Sequence, residues 1–463
     1  MSETKKIVNI VGSGVSWSSF QTIITRFLGF FSALLILSRL SVFEYGLIEL
    51  SLASLSIFSI FLLPGIQPVV ISDISELVQK KNGKQAVEHL KKYFNIQLLL
   101  SLFAFIVIFS ISYLPIDAFQ ESSRVLIRVL SLSFLISPWR QTFQVVFSSI
   151  LDFKARSLIN ILEEVSKFLF LLFMFSFFEL GPVSVAFAII ASQFASVVLM
   201  SKKYKSNMLF IKNLDNGEEF KYLPFNHYVL GQSFWAMAGS YMNTFGQTCR
   251  LWIIKFLLGT EAVGLFSLAQ SLYGHIVAVF SVTAIISPIL TRVKDDFSKF
   301  KRIVLKSIKY QLVASCIIGL VSFFVVPILI PVFFPEYANS MSLFKIIILA
   351  IIPSAFASVF TSMYQSMNFQ RSLFFAISFK NLSILVFSFV FIKLFGISGI
   401  AYEYLLTTVI FTLSRYFNLK RIANISINLN DFISFDQDDK LVFGELIKKI
   451  NSLFKFKKRE KVS

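Results

Sequence analysis

The stretch YFNIQLLLSLFAFIVIFSISYL at residues 93–114 decides the fold class, because 22 consecutive positions pass without an Asp, Glu, Lys or Arg. About 20 apolar residues in a helix cross the ~30 Å hydrocarbon layer of a bilayer. Working outward from it, the same reading gives twelve predicted spans: 11–38, 46–70, 93–114, 125–150, 158–178, 182–200, 229–257, 264–290, 310–332, 343–367, 374–394 and 399–418. Over 463 residues, 56% are hydrophobic, 15% are charged and the mean hydropathy is +0.73, a balance that excludes a soluble globular enzyme. The expectation is an all-α polytopic membrane protein.

Net charge is +18, which in a soluble chain would point to nucleic acid. Here the basic residues fall in short clusters between apolar runs, so the expected partner is anionic lipid at the cytoplasmic face and no nucleic acid. With the N-terminus inside, the inner segments hold 32 Lys and Arg, and the outer loops hold only Arg39 and Arg124. That asymmetry predicts cytoplasmic termini. Lys5 and Lys6 precede an apolar segment without a small-residue cleavage site, which reads as a first span and not a removable signal. Outer loops of about ten residues or fewer leave no room for a catalytic domain.

The chain divides into a six-helix lobe at 1–200, a cytoplasmic linker at 201–228, a second six-helix lobe at 229–418 and a basic tail at 419–463. The two lobes read as repeats. Leu40 and Gly46-Leu47 match Leu258 and Gly264-Leu265; Pro138, Arg156-Ser157, Gly181 and Ala186 match Pro353, Arg371-Ser372, Gly396 and Ala401. An even number of spans per half makes the repeats parallel, with a cargo cavity expected at their interface. In the tail segment 440–461, apolar residues at helical spacing between Phe443 and Phe454, beside Lys457-Lys458-Arg459, suggest an amphipathic helix on the inner leaflet or a solvated tail that helps set topology.

Ionisable groups in apolar spans are costly and mark cavities or partners. Arg26 shares a helical stripe with Ser19, Thr22, Gly29 and Ala33, all small or polar, so it is expected to face the bundle interior, where a guanidinium grips phosphate in bidentate fashion. The alternative is a structural ion pair. Gln232, Ala236, Gly239, Asn243, Gly246 and Arg250 form a second such stripe, with Arg250 read either as a cavity cation or as an interfacial snorkelling residue. Arg140 lies beside Pro138, which frees backbone carbonyls tolerated only at a protein or water surface.

Arg26, Arg140 and Arg250 are thus the candidate substrate-binding cations. Glu163, Glu164, Lys167, Lys380 and Asn243 are candidates for cavity lining or ion coupling, although Glu163 and Glu164 are spaced to neutralise Lys167 on their own helix. Glu403 is read as solvated near an outer end, Lys255, Lys345, Lys393 and Arg415 as snorkelling, and His275 as a packing residue. Cys249 and Cys316 match no zinc spacing, and Gly12-Ser13-Gly14 lacks the lysine of a phosphate loop, so neither a metal, a cofactor nor ATP hydrolysis is expected.

Arg26-Phe27-Leu28-Gly29-Phe30, Ser38-Arg39-Leu40-Ser41 with Tyr45-Gly46-Leu47, and Leu258-Gly259-Thr260-Glu261-Ala262-Val263-Gly264-Leu265-Phe266 leading to Pro288 together resemble the O-antigen (Wzx-type) polysaccharide flippases of the multidrug/oligosaccharidyl-lipid/polysaccharide (MOP) superfamily, over residues 7–420. The resemblance implies two MATE-like lobes, a cationic cavity and alternating access. It also implies export of undecaprenyl-pyrophosphate-linked repeat units across the inner membrane for O-antigen or another surface glycan, alongside a polysaccharide polymerase and chain-length proteins. By similarity, Arg26 matches a cavity arginine of lipid II flippases. The competing readings are a cation-coupled multidrug-type antiporter, for which acidic cavity residues are expected, and a membrane glycan polymerase or ligase, which the short outer loops oppose.

Overall fold

The computed structural model describes residues 3–62, 66–113, 121–178, 180–214, 232–279 and 296–423, together with positions 286, 290, 291 and 293. All regular structure among them is helical. The first half contains α1 (Glu3–Leu37), α2 (Val42–Ile57), α3 (Gln67–Gln79), α4 (Gly83–Ile111), α5 (Glu121–Ser131), α6 (Ser133–Ser149), α7 (Phe153–Phe177) and α8 (Pro182–Lys212). The second contains α9 (Gln232–Leu258), α10 (Thr260–Val279), α11 (Phe297–Phe333), α12 (Ser340–Ile347), α13 (Ile351–Ser366), α14 (Gln370–Phe395) and α15 (Ile397–Ala423). The predicted tail helix at 440–461 and most of the 201–228 linker lie outside the described residues, and α8 runs on through the first part of that linker.

Among the described residues, eight helices are long and apolar enough to cross a membrane, fewer than the twelve expected. Two of the shortfalls have a chemical cause: α7 carries Glu163, Glu164 and Lys167, and α9 carries Asn243, Gln247, Arg250 and Lys255. A helix with a polar stripe is stable in a bilayer only when neighbours cover that stripe. The predicted span 125–150 is a broken pair, α5 and α6, whereas 343–367 is one of the eight, α12 running on into α13 through a 3-10 turn.

Each half packs as a unit, with the same pairings in both. In the first, α1 lies on α7, α7 on α8, α4 on α6 and α6 on α8. In the second, α9 lies on α14, α14 on α15, α11 on α13 and α13 on α15. The halves meet where α2 crosses α9 and α10. At that crossing Gly46 faces the Thr260 carbonyl and Gly264 faces the Val42 carbonyl so closely that neither position admits a Cβ. The matched glycines of the two repeats therefore sit against each other's helix starts. Gly181 and Gly396, the other matched pair, share a left-handed backbone (φ 53° and 61°) at the tight connections before α8 and α15.

Contacts between the halves concentrate at the end that carries these helix starts. Leu37, Tyr45 and Leu50 join a core dominated by second-half residues such as Phe266 and Phe344. Tyr337 donates to the Leu40 carbonyl at 2.8 Å and packs edge-on against Tyr45. The Ser41–Glu44 capping box holds the start of α2 in this position.

Candidate functional site

A cavity of about 460 Å³ lies between the lobes beyond the glycine crossing. From α2 it takes Glu49, Leu52, Ala53 and Ser56; from α9, Asn243, Thr244, Gln247, Thr248 and Leu251; from α10, Ser267, Gln270 and Ser271. Helical periodicity explains the set, since Glu49, Ala53 and Ser56 share one face of α2, and Asn243 and Gln247 are one turn apart on α9. Ser56 and Thr248 join the lobes by a hydroxyl–hydroxyl bond of 3.0 Å, and Thr248 also donates to the Ala53 carbonyl. The Tyr45 hydroxyl interacts with Glu49 and Ser271 on the closed side.

Asn243 is the one candidate residue that lines this cavity. Arg250 stands one residue behind it. Its Nη1 donates to Gln247 Oε1 at 2.7 Å, while Nε and Nη2 grip both oxygens of Glu403 at 2.9 and 3.1 Å. The side chains of this pair are 1% and 0% exposed, so Glu403 is not solvated and Arg250 does not snorkel. A bidentate carboxylate and the Tyr404 ring, 5.0 Å away, satisfy a cation that lipid could not.

Arg26 is exposed on α1 and forms no ion pair among the described residues. Gly29, one turn along, packs toward His275 of α10 with 3.9 Å between its notional Cβ and the imidazole. The charges of Arg26, Lys167 and Glu164 reach His275, so groups on α1 and α7 of the first lobe stand within electrostatic range of α10 of the second. The sequence reading of His275 as a packing residue missed this position. Lys167 pairs with Glu164 at 2.6 Å on its own helix, as its spacing suggests. By contrast, Glu163 turns away and pairs with Arg140 at 2.6 Å, within a network that runs through Asn160 and Gln144 to Gln67 inside the first lobe.

Lys380 stacks on Phe411 at 4.9 Å and feels the charges of Arg250, Arg415 and Glu403, inside the second lobe. Arg415 is buried and not snorkelling: it donates to the Ala357 carbonyl and to Thr361 Oγ1, and lies over Phe411. The candidates therefore separate into three places: Asn243 with Arg250 behind it at the cavity, Arg26 with Glu164 and Lys167 on the first lobe within electrostatic range of His275, and Arg140–Glu163 and Lys380 within individual lobes. Glu49, Gln247, Gln270 and His275 are additions from the structure. For Glu49 the available signal was a carboxylate inside the predicted 46–70 span.

No group of three or more potential metal ligands occurs among the described residues. The arrangement offers hydrogen bonding, fixed charge and two lobes that touch at one end, which suits binding and movement of a cargo.

The fold matches solved transporters. An inward-facing multidrug resistance MATE family transporter of the MOP superfamily aligns with TM-score 0.68 at 13% identity, covering 87% of this chain and 98% of that one. The lipid II flippase MurJ in an inward closed conformation aligns with TM-score 0.70 at 15% identity, covering 90% and 88%. A MOP superfamily transporter from Pyrococcus furiosus Vc1 (DSM3638), whose description notes a binding pocket of reverse polarity, aligns with TM-score 0.63 at 13% identity, covering 90% and 96%. No curated protein sequence matches the chain. The sequence profile of the family described as "Polysaccharide biosynthesis protein" matches residues 36–336. A match over that much of the chain, joined to a MOP superfamily fold, settles the family: the chain belongs to the polysaccharide biosynthesis proteins.

Proposed function

We propose that this protein is a flippase that carries undecaprenyl-pyrophosphate-linked repeat units of O-antigen or another surface glycan across the inner membrane. Both termini lie in the cytoplasm, and the lobes rock between inward- and outward-open forms. The observation that carries the reading is Arg26, exposed on α1 and free of any carboxylate partner among the described residues, with its charge reaching His275 of the other lobe beside the Lys167–Glu164 pair. A pyrophosphate cannot enter hydrocarbon bare, and an unpaired guanidinium in a wet interlobe space is what it needs. The family membership and the MATE and MurJ folds support a transporter, and the Lys and Arg asymmetry supports the sidedness. On that sidedness the lobes are closed outside, as in an inward-facing state.

The test is surface glycan on cells whose only copy of this gene carries Arg26→Ala. Loss of a charge-assisted bond to phosphate costs about 1.5–3 kcal/mol, so display falls by about tenfold or more at unchanged membrane abundance. Normal display with Arg26→Ala and Lys167→Ala combined would sink the reading. One observation favours a second reading, the cation-coupled antiporter: Glu49 places a carboxylate on the cavity wall. An antiporter would extrude ethidium and lose that activity with Glu49→Gln, while glycan display stayed intact.

A further inference from the structure

We infer that the interlobe cavity is the sugar subsite of this transporter, and that Glu49 makes it selective for neutral or amino sugars over acidic ones. The inference rests on the flippase reading above and extends it to the chemistry of the glycan.

Lining chemistry is the first argument. The cavity presents three side-chain amides, Asn243, Gln247 and Gln270, and the hydroxyls of Thr244, Ser267 and Ser271, with no Lys or Arg among its walls. Amides and hydroxyls offer donors and acceptors side by side, which is what a polyhydroxylated ring requires and what a pyrophosphate does not. The volume of about 460 Å³ falls in the ordinary range of small-ligand pockets, room for the first sugars of a chain and not for a polyprenyl tail.

Orientation is the second. Gln247 Oε1 already accepts from Arg250 and from Gln270 Nε2, at 2.7 and 3.3 Å. Its amide nitrogen is thereby left as the free end, so the buried Arg250–Glu403 pair sets this wall as a donor. Glu49 stands on the α2 wall of the same cavity as an acceptor-only group when ionised, with the Tyr45 hydroxyl beside it. A sugar hydroxyl, amine or acetamido N–H can bridge these walls. A uronic carboxylate would meet a like charge there.

Position is the third. Ser271 and His275 are four residues apart on α10, so His275, which the charges of Arg26 and Lys167 reach, stands about 6 Å farther along that helix from the closed end than the cavity's Ser271. A head group held there by its pyrophosphate would place the attached sugar in the cavity.

The test uses full-length protein in proteoliposomes with two probes, polyprenyl-pyrophosphoryl-N-acetylglucosamine and polyprenyl-pyrophosphoryl-glucuronic acid. Translocation is read by the access of membrane-impermeant periodate to the sugar. The wild type is expected to move the acidic probe at no more than about one-tenth the rate of the neutral one, and Glu49→Gln to raise the acid-to-neutral ratio about tenfold. Gln270→Glu, which adds a second carboxylate, is expected to lower the ratio further, and it decides the matter should Glu49→Gln fail to fold. An acid-to-neutral ratio that is the same in wild type and folded variants overturns the subsite while leaving the flippase reading standing. A wild type that moves neither probe overturns both.

Discussion

At the scale of single residues, the Arg250–Glu403 pair shows how far charge placement lies from sequence spacing. The partners are 153 positions apart. Helical periodicity assigns each to a face of its own helix, but it cannot say that α9 and α15 bring those faces together. Removing one partner strands the other in a water-free site. Glu403→Ala is therefore expected to destabilise the protein by about 3–5 kcal/mol, and the apolar double replacement Arg250→Met with Glu403→Leu to recover most of it. Thermal unfolding in detergent reads both; equal loss in the single and double variants would contradict the pairing. Asp152, between α6 and α7 and outside the apolar helices, titrates differently. Its burial alone would raise its carboxyl, but the Ala155 amide, the Asn207 side chain and Lys203 together hold it below the usual carboxylate range. A depressed folded value means the stabilisation is present above the unfolded value of about 3.9 and is lost as pH falls through the folded one. Asp152→Asn should thus shrink the fall in unfolding temperature between pH 6 and pH 3, which a pH series of melts checks.

At the scale of elements, the glycines of the two repeats were visible in the sequence as matched positions in the two halves, and the structure supplies their physical reason. Gly46 and Gly264 exist because each helix start lies on the other's backbone, and Gly181 and Gly396 because a Cβ strains their left-handed turns. Gly264→Ala must push α10 off the Val42 carbonyl, at a cost of about 1–3 kcal/mol. It should also speed alkylation of a Tyr45→Cys reporter by an impermeant maleimide, in a background where Cys249 and Cys316 are replaced by Ser. Gly274→Ala, with nothing within 4 Å of its Cβ, serves as the control and should change neither reading. The apolar runs were legible for an equally local reason: each helix must match the bilayer by itself, so its composition declares it. The polar wall was legible only in part. The Gln232-to-Arg250 stripe located Asn243 but passed over Gln247, one turn on at its edge, and Glu49 and Gln270 become neighbours only when two lobes close over one space.

At the scale of the whole molecule, function turns on whether the lobes separate at the end where they now touch. The contacts that hold them are few in kind: a glycine crossing, an apolar core shared by Tyr45 and Phe266, the Tyr337 hydroxyl on the Leu40 carbonyl and, farther along α2, the Thr248 hydroxyl on Ser56 and the Ala53 carbonyl. Each is buried but modest, and none is an ion pair among those the structure contains. A closure of this sort can open within a transport cycle, since only apolar contact and single hydrogen bonds are lost. Tyr45 and Tyr337, with ring centroids 6.2 Å apart, span it. In the background without native cysteines, Tyr45→Cys with Tyr337→Cys should react with a short bifunctional thiosulfonate and lock that end shut. Surface glycan should then stop accumulating on treated cells and resume after reduction, while either single variant treated alone keeps exporting. Export that continues through the lock would mean that cargo leaves by a route other than between the lobes, and the rocking mechanism would have to be abandoned.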